Sequence, residues 1–163
     1  MADSTPDTKR EMLRHTVATL AYRGGKAVRG APEGLGEFIA GAGLRTPVQI
    51  LAHVGDLLDW ALSMARGEPR FNESAPLGWD AEASRFFDAL AAFDAYLASD
   101  EPLGIPAEGL FQGPVADALT HVGQLAMLRR MAGAPVRGEN YFRAEIVAGR
   151  VGEKQAAPRR EFD

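Results

Sequence analysis

The chain has no cysteine among its 163 residues. That excludes disulfides, zinc–thiolate sites and a thiol nucleophile carried by the protein itself. Histidine is scarce, with three copies. No apolar run reaches the roughly 20 residues of a membrane span, because charges interrupt every candidate. The first ten residues are polar and lack the apolar core of a secretory signal, so a cytosolic protein is expected. Basic residues form no band. The only arginine doublets are Arg129-Arg130 and Arg159-Arg160, and the net charge is −4. Nucleic-acid binding through a basic face is therefore not expected. Sustained polar–apolar alternation, the mark of a half-buried strand, is missing, as is any internal repeat.

What remains is an apolar chain with helical periods. Hydrophobic residues make up 46% of it, enough for a core in one domain. The expected fold is all-α: a four-helix bundle with long connecting loops over residues 1–148, then a polar, flexible tail over 149–163.

The first helix is predicted from about Thr5 to Tyr22, with Thr5 as cap and Pro6 in the first turn. Leu13, Val17 and Leu20 form its stripe, and Gly24-Gly25 is expected to end it. The second begins with Thr46-Pro47-Val48-Gln49, a capping box with proline at the first helical position. Ile50, Leu57, Trp60 and Met64 mark its apolar side, His53 falls on the same stripe, and Gly67 and Pro69 stop it. The third spans about Asp80 to Ser99 and carries two stripes. One is Phe86, Leu90, Phe93 and Leu97; the other is Phe87, Ala91, Ala95 and Ala98. The second stripe either widens the internal face or packs a homodimer.

The fourth helix is expected from Pro114 to about Ala132, with Ala118, Leu125, Leu128 and Ala132 on its stripe and Gly133 and Pro135 beyond it. His121 lies in the middle, and Gly123 suggests close approach of a neighbouring helix or of a ligand beside His121. Short helices are possible at Glu33 to Ala40 and Pro106 to Phe111. The long connections allow a crossover, so simple up-down-up-down order does not follow.

The chemistry concentrates on two of the three histidines. An imidazole on a core-facing stripe costs desolvation unless something satisfies it. Asp117 and His121 are four apart, so they share one side of a helix. Two ligands at that spacing grip one metal ion, and His53 from another helix would complete a facial set. Two histidines and a carboxylate suit zinc, iron(II), nickel or manganese. Gln124, three residues after His121, is placed to orient a ligand. The other reading is a pair of hydrogen-bonded core histidines. His15 sits off its helix stripe and is expected to be partly exposed. Asp56 and Asp59 are expected to face solvent or pair with arginines.

Ile50-Leu-Ala-His53-Val-Gly-Asp56-Leu-Leu-Asp-Trp60 resembles the histidine-bearing second helix of the DinB/YfiT-like superfamily. Thr120-His121-Val-Gly123-Gln124-Leu125 is similar to that family's fourth-helix signature. The likeness runs from the first helix to about Ala132. It departs at Asp117, where the family commonly has a histidine. The resemblance implies a four-helix bundle, often dimeric, with a divalent metal ion. It implies transferases and isomerases that use small cytosolic thiols such as bacillithiol or mycothiol. The expected activity is thus metal-dependent transfer with a small thiol cosubstrate. The alternatives are a hydrolase or isomerase using metal-activated water, and a non-catalytic dimeric stress-response protein with a decayed site.

Overall fold

The computed structural model describes residues 7–162. Its helices are α1 (Thr8–Val28), α2 (Pro47–Ala65), α3 (Trp79–Ala98), α4 (Ala107–Leu110) and α5 (Ala116–Met131), with short 3₁₀ turns at Leu35–Glu37 and Tyr141–Arg143. No strand occurs among the described residues; the one β feature is an isolated bridge between Glu139 and Glu161. The protein is all-α. No helix of the described residues is long and apolar enough to cross a membrane.

The stripes read from the sequence form the core. Leu13, Val17 and Leu20 of α1, Ile50, Leu57 and Met64 of α2, Phe86, Leu90, Phe93 and Leu97 of α3, and Ala118, Leu125 and Leu128 of α5 are all buried. Thr46 caps α2 as expected: its hydroxyl accepts from the Gln49 N–H, and the Gln49 amide accepts from the Thr46 N–H at 2.8 Å. Gly67 and Gly133 end α2 and α5 with positive φ. Paired bonds satisfy the last carbonyls: Gly67 N–H to Met64 O with Glu68 N–H to Ser63 O, and Gly133 N–H to Arg130 O with Ala134 N–H to Arg129 O.

Three expectations need correction. The Gly24-Gly25 pair does not end α1, which continues to Val28. A Cβ on Gly24 would lie 2.6 Å from the Phe86 ring, so that glycine lets α1 and α3 approach. The helix stops instead before Gly30, whose φ is +61°. The expected Thr5 cap and Pro6 lie outside the described residues; Asp7 caps the helix through Lys9 N–H and Arg10 N–H. Second, Pro114 does not open the fourth helix. It sits inside a π-helical turn, Phe111–Val115, that joins α4 to α5. The wider turn accommodates a residue that lacks an N–H and crowds the preceding turn. Third, no neighbouring helix approaches Gly123, since a Cβ there would meet nothing within 4 Å. Helix α3's second stripe is exposed at Ala91, Ala95 and Ala98, and only Phe87 of it packs, half-buried, against the core.

The helices pack in the ring α1–α3–α2–α5, with each touching two neighbours. Their directions follow from the ties between ends. Arg10 at the start of α1 donates to Leu97 O and Tyr96 O at the end of α3, so those two run antiparallel. Arg129 at the end of α5 donates to Ala27 O and Arg29 O at the end of α1, so those two run parallel. Gly104 N–H, just before α4, bonds Ala65 O at the end of α2. Arg85 in the first half of α3 bonds Ala52 O in the first half of α2. The order is therefore up-down-down-up, and residues 66–78 must return along α2 to start α3. Residues 149–162 fold back onto the bundle: Val151 is buried, and Lys26 of α1 pairs with both Glu139 and Glu161 at 2.9 Å.

Candidate metal centre

Helices α2 and α5 are ring neighbours, and their facing sides carry His53 on one and Asp117 and His121 on the other. The Nε2 atom of His53 lies 3.8 Å from Asp117 Oδ2, and the Nε2 atom of His121 lies 3.5 Å from Asp117 Oδ1. The two imidazoles meet edge to face with centroids 4.8 Å apart. One ligand atom from each of the three residues falls within 4.8 Å of the others, and this is the one such group found among the described residues. Two donors each about 2 Å from one ion are at most about 4 Å apart, so the three side chains must close by somewhat under 1 Å to hold one. The histidine side chains are mostly buried, whereas that of Asp117 is 48% exposed.

Gln124 reaches His121. Its Oε1 lies 2.7 Å from His121 Nδ1. An amide oxygen only accepts, so Nδ1 carries the proton and Nε2 turns its lone pair toward Asp117 and His53. Burial pushes the His53 imidazole below its ordinary pKa, helped by His121 and Arg45 and opposed by Asp117 and Asp56. A neutral imidazole is the form that binds a metal.

The returning segment 66–78 walls the site, and no sequence signal in it had pointed to this. Phe71 packs edge-on against His53 at 6.3 Å and against Trp60 at 5.7 Å between centroids. Two buried carboxylates fasten the segment. Asp56 accepts from Ser74 N–H at 2.9 Å and Glu82 accepts from Leu77 N–H at 3.1 Å. Arg85 binds Asp56 at 2.6 Å and Asp59 at 2.7 Å, so the expected arginine pairing of both aspartates holds. A Cβ on Gly55 would lie 2.9 Å from the Arg85 guanidinium, which therefore lies flat on α2. Burial opposes the Asp56 charge, but the Ser74 and Arg85 bonds outweigh it and hold its carboxyl below the ordinary value. A cleft of about 140 Å³ opens between α2 and this segment, lined by Arg45, Gln49, His53 and Glu73 among others. His15 is exposed and stands outside the group.

Compared with protein-family models, curated proteins and solved structures, the chain matches none.

Proposed function

We propose that the chain is a metal-dependent protein of the DinB/YfiT-like type. In this reading it is a four-helix bundle whose His53, Asp117 and His121 hold one divalent ion, and it transfers groups with a small cytosolic thiol as cosubstrate. The observation that carries this is the convergence of three ligand atoms from two helices within 4.8 Å. The donor set fits zinc, nickel, iron(II) or manganese, and three protein ligands leave positions open. Bound there, the ion would supply Lewis acidity and lower the pKa of an incoming thiol. The protein's own residues do the rest. Gln124 sets the tautomer of His121. Phe71 covers one edge of His53. Asp117 leaves one side open to solvent, where a ligand can enter. With no cysteine in the chain, the thiol must arrive from outside.

Elemental analysis of protein purified without a histidine tag tests the reading. We expect about one ion per chain in the wild type and a substoichiometric level in His53→Ala. Wild-type protein that stays substoichiometric after reloading with zinc, nickel, iron and manganese refutes it. A turnover screen with and without small thiols then separates thiol transfer from hydrolysis or isomerisation by water. A homodimer through α3 belongs to the same reading. Light scattering should give a dimer for the wild type and a folded monomer for Ala91→Glu, and a wild-type monomer sinks that part.

A further inference from the structure

Residues 138–140 and 160–162 run antiparallel, joined by bonds from Asn140 N–H to Arg160 O at 2.9 Å and from Phe162 N–H to Gly138 O at 2.7 Å. The buried Glu139 carboxylate pins this pair to α1 by accepting from the Tyr22 hydroxyl at 2.5 Å and from Lys26 at 2.9 Å. Beside this anchored frame lies a cleft of about 420 Å³, lined by Phe142, Arg143, Ala144, Arg159 and Arg160. Its charge is lopsided. Residues 137–160 hold six basic and three acidic side chains, on a chain whose net charge is −4. Glu145 serves both Arg159, at 2.5 Å, and Arg150, at 3.3 Å. The side chains of Arg143 and Arg160 have no hydrogen bond or ion pair among the described residues. Phe142, which lines the same cleft, is 97% exposed.

We propose that this cleft binds a phosphate ester bearing a planar ring, the chemistry of a nucleotide. Arg143 and Arg160 present guanidinium forks that match phosphate oxygens two at a time. Phe142 presents a bare aromatic face on which a base stacks. A simple carboxylate or phosphate would use the arginines and leave the ring without a partner. The volume lies in the range of about 300–1,000 Å³ usual for small-molecule sites. A free nucleotide and a single-stranded nucleic acid carry the same chemistry, so the test includes both.

The full chain is titrated calorimetrically with ADP, pyrophosphate, adenosine and a short oligothymidylate, in EDTA so that the metal centre takes no part. ADP should bind about tenfold or more tighter than either pyrophosphate or adenosine. Arg143→Ala with Arg160→Ala should weaken ADP and pyrophosphate alike, by about tenfold or more. Phe142→Ala should weaken ADP and leave pyrophosphate unchanged, and Phe142→Trp should restore it. All three side chains lie at the surface, and circular dichroism verifies that each variant is folded. An oligothymidylate that binds tighter than ADP, with affinity falling steeply as salt rises, identifies a strand as the source of the same chemistry. Absence of binding to both ADP and oligothymidylate at about 1 mM overturns the proposal. So does ADP binding that neither Phe142→Ala nor the double arginine variant changes.

Discussion

Replacing Gln124 by leucine removes the contact that would orient His121 as a metal ligand. In the structure Gln124 Oε1 accepts from His121 Nδ1 across 2.7 Å. Loss of that acceptor frees the imidazole to rotate and to place its proton on Nε2, the wrong nitrogen for binding. Removing an orienting partner of this kind costs about 10–100-fold in metal affinity. Gln124 is exposed, so water replaces part of the lost bond and the cost should sit near tenfold. The effect on stability follows by linkage. At free metal of about 100 times Kd, the ion stabilises the folded state by about 2.7 kcal/mol. After a tenfold loss the same free metal contributes about 1.4 kcal/mol. The difference of about 1.3 kcal/mol corresponds to about 3–5 °C in a chain of this size.

Chelator competition gives Kd directly, and thermal melts at buffered free metal give the shift. In EDTA the variant and the wild type should melt together, because the bond is solvent-facing and local. Gln124→Glu should hold the wild-type affinity, since a carboxylate accepts the same proton. A Gln124→Leu protein that matches the wild type in both Kd and metal-induced melting shift refutes the orienting role.

Other tests address the site and the packing. Asp117→Ala should lose most metal affinity while Asp117→His keeps a site with a softer preference; equal binding by Asp117→Ala removes the aspartate from the ligand set. His53 is held below its ordinary pKa by burial, so its contribution to metal-free stability is complete above about pH 6.5 and is lost as pH falls from there through the folded value. Urea melts in EDTA between about pH 7 and pH 5 should show that loss, and His53→Gln should flatten it; an unchanged slope contradicts the assignment. Gly24→Ala sets helix propensity against packing. Propensity favours alanine by about 1 kcal/mol, but a Cβ 2.6 Å from the Phe86 ring overpacks the contact by about 1–3 kcal/mol. The variant should melt lower, and a higher melting temperature means that the ring yields freely.

The core and the α5 half of the candidate metal cluster were legible because both depend on helical spacing alone. Asp117, His121 and Gln124 all lie beyond the π-helical turn Phe111–Val115, where regular geometry holds. A four-residue and a three-residue step therefore placed them on one side without any tertiary knowledge. The helix ends were legible where glycine takes a positive φ, as at Gly67 and Gly133. Gly24-Gly25 misled because its cause is tertiary: the reason for Gly24 is Phe86, more than sixty positions away. Pro114 misled because proline at a helix start and proline in a widened turn look alike in sequence. The arginine cleft was illegible for a similar reason. Arg143 and Arg159-Arg160 are scattered along the chain and meet only through backbone pairing of the segments that carry them.

Phe71 shows how topology makes part of a site. Helices α2 and α3 run the same way, so their connection must climb the whole length of α2. Nineteen residues of helix span about 28 Å. Residues 66–78 can extend to about 40 Å, which leaves slack. That slack is taken up against α2 rather than in solvent. Arg70 N–H bonds the Ser63 hydroxyl, Phe71 packs on Trp60 and His53, and Ser74 N–H bonds Asp56. The Leu77 bond to Glu82 then delivers the chain to the start of α3. In up-down-up-down order this connection could be a short turn, and nothing would cover the outer edge of His53. The exposed aromatic in a polar loop is thus explained by the parallel pair, and the pair by residues as distant as Arg85 and Ala52. Helical period reports which side of a helix faces inward. It carries no information about helix direction, which is why the ligands could be read from the sequence and the wall beside them could not.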